Sequence, residues 1–171
     1  MKNMINGLLI LTIIVFASCG RGDNSADTSD AKTQQNPGLQ SDIRIKNAMT
    51  FINGYVENAN KLNKSIDDAV WVSSNMLSTK SFKKEMKRLI KEGLKENPEL
   101  GLEADPVFDA QDYPHKGFEP ESFDENTGYL TVRGIGWPDF RLTMKIVNEQ
   151  GIWLVEGCGM INVPEDKRAA R

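Results

Sequence analysis

The feature that most constrains this chain is a change of hydrophobic period partway along it. Ile45, Ala48, Ile52, Tyr55, Ala59 and Leu62 are spaced alternately by three and four residues, and Met49, Phe51 and Val56 widen the stripe. That period predicts an amphipathic helix over about 42–62, capped by Ser41. After Glu121 the period is two. Tyr129-Leu130-Thr131-Val132-Arg133 follows the turn formers Asn126-Thr127-Gly128, and Phe140, Leu142, Met144 and Ile146 alternate with Arg141, Thr143 and Lys145. These read as half-buried strands. A chain whose helices come first and whose strands then follow as a run predicts an α+β domain.

Between the two regimes the punctuation is local. Ser65-Ile66-Asp67-Asp68 has a capping-box pattern, predicting a short helix over about 66–76. Ser78 or Thr79 caps a third helix in which Phe82, Met86, Leu89, Ile90 and Gly93 share a face, and Asn97-Pro98 closes it. The other side of that helix carries Lys84, Lys87, Arg88, Lys91 and Lys95, relieved by Glu85, Glu92 and Glu96. It reads either as a solvated surface or as a contact for anionic headgroups. The stretch from Leu100 to Pro120 has little periodicity and many turn formers. Its Asp105, Asp109 and Asp112 lack EF-hand spacing and read as side chains that bond nearby backbone. Asn148-Glu149-Gln150-Gly151 predicts a hairpin loop, Ile152 to Cys158 the returning strand, and Gly157 with Gly159 a bulge or bend in it.

Ahead of the helices stands a different kind of segment. Lys2 is followed by the apolar run Leu8 to Phe16 and then by Ala17-Ser18-Cys19-Gly20. This is the three-part layout of a secretory signal peptide, with an apolar run too short to span a bilayer. Its end resembles the bacterial lipobox. Ala17 and Ser18 stand at the second and first positions before cleavage, and Cys19 stands as the residue that would receive the lipid. Ordinary signal cleavage after Ala17 is the alternative. Several acyl chains on Cys19 would give stable membrane anchoring. Gly20 is not aspartate, so the inner-membrane retention signal of enteric bacteria is absent. The resulting expectation is the outer membrane, facing the periplasm. Gly20 to Gln40 contains Leu39 as its only large apolar residue and reads as a disordered tether. Arg21-Gly22-Asp23 within it reads as a chance tripeptide. The expected organisation is a signal peptide at 1–18, a tether at 19–40, one domain at 41–164 and a frayed charged tail at 165–171.

Composition narrows the function classes. Lys and Arg number 21 against 24 Asp and Glu, for a net charge of −3. Loss of the leader removes Lys2 and takes this to −4, so no basic excess points to nucleic acid. Cys158 lacks an intramolecular disulfide partner if Cys19 carries lipid. No nucleophile elbow, phosphate loop, dinucleotide fingerprint or metal-binding His-Glu-x-x-His helix occurs, so no catalytic residue, metal or cofactor is assigned.

The helical first half, the Asp105-Pro106…Ala110-Gln111-Asp112-Tyr113 segment and the closing Gly151-Ile152-Trp153-Leu154-Val155 strand together resemble the bacterial family called domain of unknown function 3828. The resemblance covers residues 45 to 160. It implies a cone of the nuclear-transport-factor-2-like type, with three helices packed on a curved antiparallel sheet, and it transfers no activity. The favoured reading is a lipid-anchored, non-enzymatic module that binds an envelope protein or a small apolar ligand through Asp112, Tyr113 and Trp137. Trp71 could line a pocket, whereas Trp153 reads as core. Two alternatives stand beside this reading. One is a cone-fold isomerase or hydrolase using Asp112, or Cys158 with His115, and the other is a periplasmic inhibitor or immunity-type protein. If the anchor is real, mass spectrometry of the native product will find an acylated N-terminus at Cys19, and Cys19→Ser will move the protein out of the membrane fraction; an unmodified terminus at Ser18 would refute it.

Overall fold

The computed structural model describes residues 42–61 and 66–170. The signal peptide, the tether, the Ser41 cap and Ser65 of the capping box lie outside the described residues. The described chain is α+β. Helices α1 (Ile43–Ala59), α2 (Asp68–Ser74) and α3 (Lys80–Glu96) precede strands β1 (Phe118–Asp124), β2 (Tyr129–Gly134), β3 (Trp137–Glu149) and β4 (Ile152–Cys158). The sheet is an antiparallel meander in the order β1-β2-β3-β4. No helix among the described residues is long and apolar enough to cross a membrane.

The helix starts are set by side-chain caps. The Asp42 carboxylate accepts from Arg44 N, the Asp67 carboxylate from Val70 N, and Thr79 Oγ1 from Phe82 N. These bonds satisfy amide groups that a helix start leaves without an internal partner. Asp67, two residues past the expected Ser65, is therefore the cap of α2, and that helix is shorter than its apolar pattern implies. Ile45, Ala48, Phe51, Ile52, Tyr55 and Val56 of α1 face the core, as the stripe requires.

Bulges explain where the strand pattern departs from alternation. Val155 pairs with Ile146 and Gly157 with Lys145, so Glu156 is the extra residue. The bulge flips the side-chain phase, and Val155 and Cys158, three apart, both turn inward. β1 shows the same device. Pro120 pairs with Val132 and Ser122 with Thr131, leaving Glu121 over. Phe118, which is buried, and Phe123, which packs on the core, are thereby five residues apart rather than an even number. The first three residues of β1 fall in the stretch that reads as loop, and the broken phase hides the strand as a whole. β3 and β4 meet in a tight turn whose Gln150 and Gly151 both have positive φ, 54° and 87°, the mirror-image geometry that suits strand twist. Past the sheet, Glu165–Lys167 forms a single 3₁₀ turn in the segment whose charge reads as a frayed tail.

Asparagines of α1 and of its C-cap join these elements. Asn47 Nδ2 donates to Trp153 O of β4 at 2.9 Å. Asn53 accepts from Phe118 N at 2.7 Å and donates to Phe118 O at 3.1 Å, acting as a strand-like partner for the start of β1. Asn58, itself buried, makes the same two-way bond to Ile66 ahead of α2, at 2.7 and 2.9 Å. Asn60 Nδ2 donates to His115 O at 2.8 Å. Gly117 allows the Asn53 clamp to close. Its φ is +87°, and a Cβ there would lie 2.6 Å from Asn53 Oδ1. The opposite edge of the sheet is covered by Leu77–Thr79, with Val155 N donating to Leu77 O and Thr79 N to Val155 O. Asn53→Ala strips two partners from the buried backbone of Phe118 and should cost about 1–3 kcal/mol in a denaturant titration. Gly117→Ala should be at least as damaging, and wild-type stability for either would show that the clamp is dispensable.

Candidate functional site

The sequence-selected residues converge on one surface. Asp112, Tyr113, Pro114, His115 and Lys116 come from the loop before β1, and Ile135, Gly136 and Trp137 from the β2–β3 connection; together they line an open cleft of 260 Å³. One link joins the connection to the loop and another fixes the loop to the end of α1. Ile135 N donates to Gly117 O at 2.9 Å, and Asn60, the C-cap residue of α1, donates to His115 O. Trp137 also borders a second cleft of 330 Å³ with Ala110, Asp112, Asp139 and Phe140. It is thus a ridge between two depressions, 42% exposed, beside Ile135 at 41%.

The residues of this surface do different jobs. Tyr113 stacks on buried Phe108 at 4.5 Å between ring centroids, so much of its ring belongs to the core. Burial, and then the charge of Asp112, push its hydroxyl above the ordinary tyrosine value. The hydroxyl donates to Asn60 Oδ1 at 3.2 Å, an atom that also meets His115 Nδ1 at 3.2 Å. Because an amide oxygen only accepts, Nδ1 is the ring nitrogen that carries hydrogen. Asp112 and His115 are 69% and 68% exposed, with 3.8 Å between Oδ1 and Nε2. The Asp112 carboxylate accepts from Tyr113 N at 2.8 Å, a turn-forming contact. Cys158 lies elsewhere, fully buried on the inner face of β4, its thiol donating to Val107 O at 3.5 Å. Trp71 is half-buried against Phe51 and Tyr55, and Trp153 is half-buried on the core with Arg44 over its ring at 5.7 Å.

The three loop aspartates diverge. Asp109 faces Arg168 at 3.9 Å, Asp112 turns to Tyr113 N and His115, and Asp105 points inward. Asp105 Oδ1 accepts from Val107 N and Phe108 N at 2.7 and 2.9 Å, and its Oδ2 accepts from Tyr55 OH at 2.7 Å. Among the described residues no group of three or more His, Cys, Asp or Glu side chains could hold a metal ion.

Asp105, Tyr55 and Asp68 form a polar centre that the sequence pattern does not single out. Tyr55 reads as one more member of the α1 stripe and Asp68 as a helix-start residue. The available signal is that a buried tyrosine hydroxyl needs a partner. Burial, reinforced by the charges of Asp105 and Asp68, holds Tyr55 protonated well above the usual range. Burial also raises Asp105. Burial, then the charges of Asp105 and Asp67, push Asp68 up to about 6, against hydrogen bonds from Tyr55 and Asn58 that favour its charged form.

No family model, curated protein or solved structure matches the chain.

The raised Asp68 has a pH signature. A carboxyl pushed up to about 6 on folding, from an ordinary value of 3.8, binds its proton more tightly when folded. Its contribution to stability is therefore greatest at low pH and is lost as pH rises through that window. Asp68→Asn removes this titration. The melting temperature of the variant should gain on wild type steadily between pH 4 and pH 7 in circular-dichroism melts; a gap independent of pH would contradict the assignment.

Proposed function

We propose that this chain is a lipid-anchored protein of the bacterial cell envelope, held by Cys19 at the outer membrane facing the periplasm, whose domain docks another envelope protein without catalysing a reaction. The signal layout and lipobox-like end support the anchor. The α+β order, with both edge strands tied to α1, supports a cone-like domain akin to domain of unknown function 3828.

One observation carries the docking reading: Trp137 stands between two clefts beside exposed Ile135, while the loop facing it is pinned by Asn60 and Tyr113. An exposed tryptophan on a braced scaffold is the kind of anchor that dominates protein interfaces, because it offers large apolar area at little ordering cost. The clefts flanking it are shallow and open, which suits a protruding side chain of a protein partner better than an engulfed small molecule. Asp112, His115 and Lys116 supply the polar rim around that centre.

A photo-crosslinking residue at position 135 should yield a discrete adduct with one envelope protein in intact cells, and Trp137→Ala should abolish it while the domain still melts cooperatively, with its circular-dichroism spectrum unchanged. The same adduct from a crosslinker at Lys91, on the far side of α3, or an adduct insensitive to Trp137→Ala, would defeat this reading. Tyr113→Ala is the poorer test, because it also removes core stacking.

A further inference from the structure

A separate trough, independent of the Trp137 surface, lies between the start of α2, one side of α3 and the segment 100–106; its volume is 450 Å³. That falls within the range of about 300–1,000 Å³ usual for small-molecule sites. Met86, Ile90 and Leu102 give it apolar walls. Leu94 and Leu100, also in its lining, are 49% and 79% exposed, so apolar surface there has no covering partner within the described residues.

The charges of the trough are of one sign. Asp67, Asp68, Glu103 and Asp105 line it, and no Lys, Arg or His does. A neighbouring cleft of 600 Å³ shares Gly101, Leu102, Glu103 and Ala104 with it, and the charged side chains lining that cleft are Glu96, Glu103 and Asp109. Arg168 approaches Asp109 at 3.9 Å from outside that lining. This one-sided charge sits beside α3, a helix rich in lysine whose basic side chains are absent from both linings.

We propose that this trough binds a small organic cation: an ammonium group carried on an aliphatic body. The leucines and Met86 would take the body out of water, and the carboxylates would take the charge. Asp68 is the favoured partner for the ammonium. Asp105 already accepts from two backbone amides and, at 2.7 Å, from Tyr55 OH, whereas Asp68 is approached by that same hydroxyl and has a long bond of 3.4 Å from Asn58 Nδ2. A carboxylate has lone pairs left after such a contact. An anion would meet only like charge, and a neutral amphiphile would leave the carboxylates uncompensated.

The test uses the full chain carrying Cys19→Ser, titrated by calorimetry and two-dimensional NMR with hexylammonium, hexan-1-ol and hexanoate. Hexylammonium should bind saturably, with shifts confined to the trough, and the other two at least about tenfold more weakly, the scale of one charge-assisted hydrogen bond. Asp68→Asn should weaken hexylammonium about tenfold and leave hexan-1-ol unchanged. Leu100→Ser, at an exposed position, should weaken hexylammonium several-fold. If Asp68→Asn does not fold, Glu103→Gln replaces it and should also lower hexylammonium affinity. Equal binding of hexan-1-ol, absence of saturation, or unchanged affinity in the carboxylate variant overturns the proposal. Binding of oligolysine without hexylammonium overturns it in favour of a basic protein segment.

Discussion

Backbone groups that leave water must find partners, and in this protein α1 supplies many of them. Asn53 closes a two-way bond on the buried backbone of Phe118, and Asn58, itself buried, makes the same pair of bonds with the backbone of exposed Ile66. Asn47 holds β4 and Asn60 holds the loop ahead of β1. An unpartnered buried amide or carbonyl costs about as much as a lost hydrogen bond, so each contact fixes where a segment can lie. The apolar stripe of α1 decides that the helix is inside. Its asparagines decide which strand and which loop meet it, and where.

The same helix connects the core to the surface. Phe82, Phe51 and Trp71 are in ring contact, Trp71 meets Tyr55, and Tyr55 meets Phe108. Phe108 reaches Phe118, and Phe118 meets Phe140, whose ring contacts Trp137 at 5.1 Å. An unbroken line of aromatic packing therefore runs from α3 to the exposed ridge. Trp137 is braced through this line, and Asn60 and Tyr113 brace the facing loop. Rigid support of this kind is what lets an exposed aromatic contribute to recognition without a large entropic cost of ordering.

Charge is distributed with comparable selectivity. The outer side of α3 collects lysines, with Arg88 between Glu85 and Glu92, whereas the charged residues lining the trough on its inner flank are all acids. The net charge of −3 conceals this division. Carboxylates gathered where water is partly excluded are held there at a cost visible in Asp68, whose ordinary acidity is lost to burial and to its acidic neighbours.

Much was legible in the linear order of residues. The period of the α1 stripe, the Thr79 cap, the β3 alternation and the Gln150-Gly151 turn all follow from local chemistry, because helix period, capping and turn geometry depend on residues close together in the chain. Asp112, Tyr113 and Trp137 were identifiable as unusual loop residues, but that they share one surface depends on Ile135 meeting Gly117 and on Asn60 reaching across to His115. β1 escaped because a bulge at Glu121 breaks its alternation, and a bulge exists only relative to a partner strand. The Tyr55–Asp105–Asp68 centre escaped for a related reason. Burial is a property of the assembled core, and it alone turns a stripe tyrosine, a loop aspartate and a helix-start aspartate into a single electrostatic unit.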